Sequence, residues 1–161
     1  MSRAFVKEDD FAESAPLRPL PTLPPGVKNY ITREGAEGLR GELAKLEAQR
    51  ARVAAAKDRA QASDLDQRIS RLGEILGSVT VVEPAAAEDV RFGASVTVKY
   101  PAGDAERFKI VGINEIDLER NHISWQSPLA KALMNAKAGE VVTFKAPAGV
   151  QKLEILRVEY R

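Results

Sequence analysis

Metal chemistry and phosphate recognition both need charged side chains gathered in one place. One such stretch is Lys57-Asp58-Arg59-Ala60-Gln61, followed by Asp64 and Asp66 and preceded by Arg50 and Arg52. Carboxylates could ligate Mg2+ or accept a proton, while Arg50, Arg52, Lys57 and Arg59 could meet a phosphate backbone. Spacing limits the first use. Asp64 and Asp66 stand two residues apart and so fall on different faces of a helix, which leaves Asp58 alone. Asp58 and Asp64 are therefore the tip candidates for metal or catalytic work, without a ready-made pair. The four basic residues alternate with alanines and equally suit a solubilising face.

The rest of the composition narrows the chemistry. There is no cysteine, hence no thiol nucleophile, thiolate metal site or disulfide framework, as fits a reducing compartment. His122 is the single histidine, so a metal would rest on carboxylates, and no resident cofactor is expected. With 24 basic and 23 acidic residues the chain as a whole is no electrostatic nucleic-acid binder, and any polymer contact must come from a local patch. No apolar run is long enough to cross a bilayer and no signal-peptide pattern opens the chain, so a cytoplasmic protein is expected. Separately, a monomer that is not itself an enzyme is expected.

The second stretch with chemistry of its own is Ile123-Ser124-Trp125-Gln126-Ser127-Pro128, continuing as LAKAL. A short strand over His122 to Trp125 gives way to a helix start, since the Ser127 hydroxyl can accept from a free amide and Pro128 is tolerated at the first helical position. Leu129, Ala132 and Leu133 then form one apolar face, with Lys131 toward solvent. Such a helix is either a lid on the core or a docking surface.

These stretches sit on two kinds of scaffold. From Thr32, a plausible N-cap with Glu34 in the first turn, the residues Ala36, Leu39, Leu43, Leu46, Arg50 and Val53 recur at spacings of three and four. Leu65, Ile69, Leu72, Leu76 and Val79 repeat the seam after a restart at Ser63, with Asp66 completing a capping-box-like pair. A short connection between two seams predicts an antiparallel hairpin with its turn near Lys57 to Ala62. Glycines at 35, 38 and 41 weaken its first turns. Ahead of it, residues 1–29 mix charge with proline and read as a flexible tail, in which Phe5 and Phe11 are either a short docking motif or exposed. Residues 81–91 read as a linker.

From Phe92 the period changes to two. Val96, Val98 and Tyr100 alternate, Pro101-Ala102-Gly103-Asp104 reverses the chain, and Phe108 and Ile110 alternate again. Strands are also predicted near His122 to Trp125, over Val141 to Phe144, and from Leu153 to Tyr160 with a bulge where Leu156 breaks the alternation. The expected fold class is α+β: an N-terminal antiparallel coiled-coil hairpin over 30–80, then a small antiparallel-sheet domain with one short helix over 92–161.

Several landmarks, in order, carry a resemblance. YITREGAEGLRGELAKL at Tyr30 to Leu46 and DLDQRISRL at Asp64 to Leu72 resemble the two arms of the Gre transcript-cleavage factors of bacteria. FGASVTV, FKIVG, ISWQSPLAKAL, AGEVV and PAG resemble the landmarks of that family's FKBP-like C-terminal domain. Within the family the chain is similar to a short-hairpin branch, that of Rnk, a regulator of nucleoside diphosphate kinase. The resemblance implies a bacterial RNA polymerase-binding regulator of transcription elongation, meeting the DNA and RNA of the transcription complex indirectly. The C-terminal domain would dock beside the secondary channel through Ser124, Gln126, Ser127 and Pro128, and the hairpin would point into the channel. In Gre factors an acidic tip of the kind G-D-x-x-E-N helps hold a Mg2+ ion shared with the polymerase.

At that tip the sequence departs from the family. Lys57-Asp58-Arg59-Ala60-Gln61-Ala62 keeps the aspartate, but Gln61 stands for the glutamate and Ala62 for the asparagine. A neutral amide offers an oxygen without charge and cannot act as a base. The hairpin is also shorter by roughly eight to ten residues per arm, about 12 to 15 Å at the helical rise. Expected is a polymerase-binding factor without strong cleavage stimulation. The alternatives are a Gre factor that retains cleavage through Asp58 and Asp64, an Rnk-like protein whose partner is another protein such as nucleoside diphosphate kinase, and a prolyl isomerase, for which too few aromatic residues are free to line a pocket.

Overall fold

The computed structural model describes residues 22–160. Phe5 and Phe11 lie outside the described residues. Strand β1 (Asn29–Ile31) leads into helix α1 (Arg33–Ala56), helix α2 (Arg59–Ser78) returns, and β2 (Val79–Val81) pairs in parallel with β1. The whole hairpin thus acts as the crossover of one small two-stranded sheet. That sheet is invisible to periodicity because its strands are three residues long.

Thr32 caps α1 as expected, its hydroxyl accepting from the Gly35 amide at 3.1 Å. Leu46, Leu65 and Leu72 are buried in the seam, with Leu39, Leu43, Val53 and Ile69 packed around them. The turn is tighter than expected. Lys57 closes α1 in the left-handed conformation (φ 56°), and Asp58, already extended, caps α2 by accepting from the Gln61 amide at 3.1 Å. Helix α2 therefore starts at Arg59, and the expected restart at Ser63 does not occur: an aspartate was available earlier, and an earlier start lengthens the packed seam. Asp66 caps nothing. It pairs with Arg50 across the hairpin, Nε to Oδ1 at 2.7 Å and Nη2 to Oδ2 at 3.1 Å.

The second body is a five-stranded sheet of order β5-β4-β3-β7-β6, built from β3 (Ser95–Lys99), β4 (Ala105–Val111), β5 (His122–Ser124), β6 (Val141–Ala146) and β7 (Gly149–Glu159). Every pairing is antiparallel except β4 with β5, which is parallel. A 3-10 turn at Ile113–Glu115 and the following loop carry the chain back to start β5 beside β4 in the same direction. The bulge stands where the sequence placed it: Thr97 pairs with Arg157 and Val98 with Ile155, so Leu156 is skipped.

Helix α3 (Pro128–Leu133) covers the core formed by Val96, Val98, Phe108, Ile110, Leu153 and Ile155. Its fully buried residues are Ala130 and Leu133, with Leu129 partly buried against the same core. The covering face is thus rotated from the one drawn through Ala132. The stretch read as a linker is joined to this body. Val90 is fully buried, its amide bonds to the Ala136 carbonyl at 2.8 Å, and Asp89 bridges Lys137.

Candidate functional site

At the hairpin tip Lys57, Asp58, Arg59 and Gln61 are all exposed. Asp58 spends one carboxylate oxygen on the α2 cap. Asp64 lies six residues on, about 9 Å along the helix axis, and faces Arg68 at 3.0 Å one turn away. The two candidate carboxylates therefore do not converge. Among the described residues no three metal-ligating groups cluster anywhere. Of the four basic candidates, Arg50 is committed to Asp66. Hydrogen bonding to that guanidinium holds the Asp66 carboxyl below its ordinary range, and Asp66 raises Arg50 in return. Arg52, Lys57 and Arg59 remain exposed, with no ion pair among the described residues.

The serine-proline turn is held from within. Ser124 is buried, and its hydroxyl accepts from the Gln126 amide at 3.1 Å. Ser127 caps α3 by accepting from the Ala130 amide at 3.2 Å, with Pro128 at the first helical position. Both hydroxyls are thus spoken for. What the turn offers outward is the exposed Pro128 ring and the half-buried Gln126 amide. The Trp125 amide bonds to the Val111 carbonyl at 2.9 Å, which ties the turn to β4.

Two residues that the sequence did not single out fix how these sites stand to one another. Glu115 accepts from the backbone amides of Gly112 at 2.8 Å and Thr32 at 2.9 Å, and from the Thr32 hydroxyl. Tyr30 packs edge-on against Trp125 with ring centroids 5.2 Å apart and lies 6.0 Å from Phe92. The first turn of α1 and the serine-proline turn are therefore keyed to one joint. The sequence held only half of a signal for Glu115: a glutamate three residues after a helix N-cap can accept the cap's amide, but Gly112 has no side chain to complete a capping box. For Tyr30 there was none in the local pattern.

Comparison with known proteins bears on this arrangement. Residues 85–160 match the family model described as "Transcription elongation factor, GreA/GreB, C-term". Transcription elongation factor GreB of Neisseria meningitidis serogroup B is 38% identical over 155 residues, covering 83% of this chain and 95% of that protein. The chain belongs to the GreA/GreB family of transcription elongation factors. GreA of Acidiphilium cryptum is 37% identical over 105 residues, covering 63% of this chain and 67% of the relative. Among solved structures, Gfh1 of Thermus thermophilus aligns at 20% identity with a TM-score of 0.41, covering 83% of this chain and 99% of that one.

For this Gre-family protein the family domain opens at residue 85, which agrees with the buried Val90 and the Asp89 bridge. The GreB match also contains a length difference. Its 155 positions take in only 83% of 161 residues, so roughly twenty of them have no counterpart here. No helix among the described residues is long and apolar enough to cross a membrane.

Proposed function

We propose that this protein binds RNA polymerase and regulates elongation without strongly stimulating transcript cleavage. The observation that carries the reading is the tip. The hairpin closes on a two-residue turn whose one carboxylate, Asp58, caps α2, and whose neighbour Gln61 supplies only its amide to that cap. A cleavage-stimulating tip must bring a pair of carboxylates to a metal, because charge on hard oxygens is what holds Mg2+ and its attacking water. Asp64, the nearest further carboxylate on α2, lies beyond reach and faces Arg68. At 24 residues α1 is only about 36 Å long. The roughly twenty GreB positions without a counterpart here equal in number the shortening expected of the two hairpin arms, and a hairpin shortened by that much would not carry its tip to a buried active site.

Docking falls to the rigid turn of Gln126 and Pro128, shaped by Ser124 and Ser127 and standing on the same joint as the hairpin. The protein contributes no reacting group of its own; it occupies a place beside the channel and excludes other channel factors. The test is competition on core polymerase between this protein and a cleavage-active Gre factor, followed by cleavage in backtracked complexes. Mutually exclusive binding, weakened by Gln126→Ala with Pro128→Ala, and cleavage no faster than without factor are expected. Accelerated cleavage that Asp58→Asn abolishes would overturn the reading of the tip. Failure to compete would overturn the docking surface.

A further inference from the structure

The five-stranded sheet has two edges, and the chain treats them differently. At β5 the edge is closed from within: the His122 amide bonds to the Asp117 carbonyl at 2.8 Å, the Asp117 amide to the His122 carbonyl at 3.1 Å, and the Ser127 amide to the Ser124 carbonyl at 2.9 Å. At β6 nothing among the described residues pairs with the outer edge. The Ile155 amide bonds to the Glu140 carbonyl at 2.9 Å. Antiparallel bonding alternates from there, so the backbone groups of Val142 and Phe144 face β7 while those of Val141, Thr143 and Lys145 turn outward. The strand also lacks most guards of an open edge: it holds no proline and no bulge and a single lysine, and Val141 is 61% exposed.

An open edge can bond any extended segment, and the side chains decide which one fits. Val142 and Phe144 point to the core yet stay half-buried, with no further strand beyond them. In an antiparallel pairing with β6 of a second copy, about a two-fold axis at Thr143, the outward amides and carbonyls of Val141, Thr143 and Lys145 all meet partners. Val142 of each copy then stands opposite Phe144 of the other, a β-branched side chain against an aromatic ring. On the other face Lys145 of one copy stands opposite Val141 of the other, and the strand beyond that Val141 carries Glu154 at the paired position. Two strand spacings are about 10 Å, within the joint reach of a lysine and a glutamate whose charges meet over Val141. Among the described residues neither Lys145 nor Glu154 is in an ion pair within the chain, although Lys99 stands opposite Glu154 on its other side.

Charge and packing also choose the register. An axis at Phe144 sets Lys145 opposite Thr143, whose neighbour on β7 is Lys152, so like charges meet. An axis at Val142 sets Phe144 opposite Glu140. The axis at Thr143 alone among the three joins opposite charges on one face and apolar partners on the other. We propose that the C-terminal domain pairs with a second copy of this chain, β6 against β6 about Thr143, with Lys145 of each copy meeting Glu154 of the other. The monomer expected from the sequence is then the dissociated state, because an open edge belongs to the folded sheet and not to any local pattern. One strand pair is a small interface, below the roughly 800 Å² per partner of a standard complex, so the dimer is weak, with a dissociation constant on the order of 100 µM. The serine-proline turn follows β5 at the other edge and stays free of this pairing.

The test is sedimentation of the full chain from about 5 µM to about 500 µM, a range that brackets the expected constant, with hydrogen exchange of the backbone amides alongside. Expected is a shift from monomer to dimer with concentration, the amides of Val141, Thr143 and Lys145 exchanging freely when dilute and slowing as the dimer forms. Thr143→Pro removes the central outward donor at a position where an edge strand tolerates proline, and weakens association by about ten-fold or more. Lys145→Glu weakens it as well, by setting two carboxylates together in each half of the interface, and Lys145→Glu/Glu154→Lys restores it to within about three-fold. Should Thr143→Pro fail to melt cooperatively, the charge exchange carries the test, since both of its positions are exposed. A chain that stays monomeric at the highest concentration, association unaltered in Thr143→Pro, or a charge exchange no better than Lys145→Glu alone each overturns the inference. Protection of the three amides at every concentration also overturns it, because another segment of the same chain then fills the edge. Because polymerase is absent, none of these results touches the docking reading.

Discussion

Glu115 accepts the Thr32 backbone amide at 2.9 Å while accepting that of Gly112 at 2.8 Å, so one carboxylate joins the first turn of the hairpin to the sheet domain. The Thr32 hydroxyl it also receives is the group that caps α1. Helix start and domain joint are thus one hydrogen-bonded unit. Both ends are closely fitted: a Cβ on Gly35 would lie 2.0 Å from the Glu115 carboxylate, and one on Gly112 would lie 2.0 Å from the Tyr30 carbonyl oxygen.

Glu115→Ala removes a charged acceptor from two amides and a hydroxyl, and orphaned donors at a part-buried joint cost about 1 to 3 kcal/mol each. Thermal melting of the variant should show a loss of about 2 to 4 kcal/mol, with Glu115→Gln in between because its carbonyl still accepts. Melting within a degree of the parent in both variants would show that the joint is not held by this side chain.

The glycines separate into two kinds that melting can tell apart. Gly41 and Gly73 lie in helix interiors with nothing within 4 Å of a built Cβ, so alanine there should stabilise by about 0.5 to 1 kcal/mol each through backbone entropy and helix propensity. Gly112 meets backbone, which cannot step aside, and Gly112→Ala should destabilise by more than either gain. Stabilisation by Gly112→Ala would mean that β1 does not lie against the 3-10 turn.

Periodicity made most of the scaffold legible. The seams of leucines place both hairpin arms, alternation places β3, β4, β6 and β7, and the single break at Leu156 locates the bulge, because each of these reports a buried face directly. What stayed hidden depends on partners distant in sequence. Strands β1 and β2 are too short to show a period, and Glu115 looks like one more surface acid until Thr32, 83 residues away, is brought beside it. At the tip the residues were singled out but their use was not: Asp58 could ligate or cap, and only the two-residue turn shows that it caps. Arg50 and Asp66 are likewise far apart in pattern yet adjacent across the seam.

That use of Asp58 separates two roles by experiment. Asparagine caps helices as well as aspartate, whereas alanine does not. Asp58→Asn should therefore melt with the parent, and Asp58→Ala should lose about 1 kcal/mol. Equal polymerase affinity for all three proteins is expected alongside. A cleavage defect in Asp58→Asn without any change in melting would assign the carboxylate to chemistry instead of the cap.

The single histidine sets a pH window for stability. Burial is the main cause that lowers the His122 pKa below its ordinary value, with Lys109 and Arg120 adding to it and Asp117 and Glu115 opposing. A base whose folded pKa is depressed binds fewer protons folded than unfolded, so protonation favours unfolding. The contribution is fully present above about pH 6.5, where the unfolded imidazole is neutral, and is lost as the pH falls below that value toward the folded pKa. Melting temperature should therefore decline as the pH falls below about 6.5, before Asp66 and Asp89, both held below the ordinary carboxylate range, begin to protonate. His122→Gln should flatten that interval and leave the steeper fall at lower pH in place. A decline of the same size in the variant would move the cause away from His122.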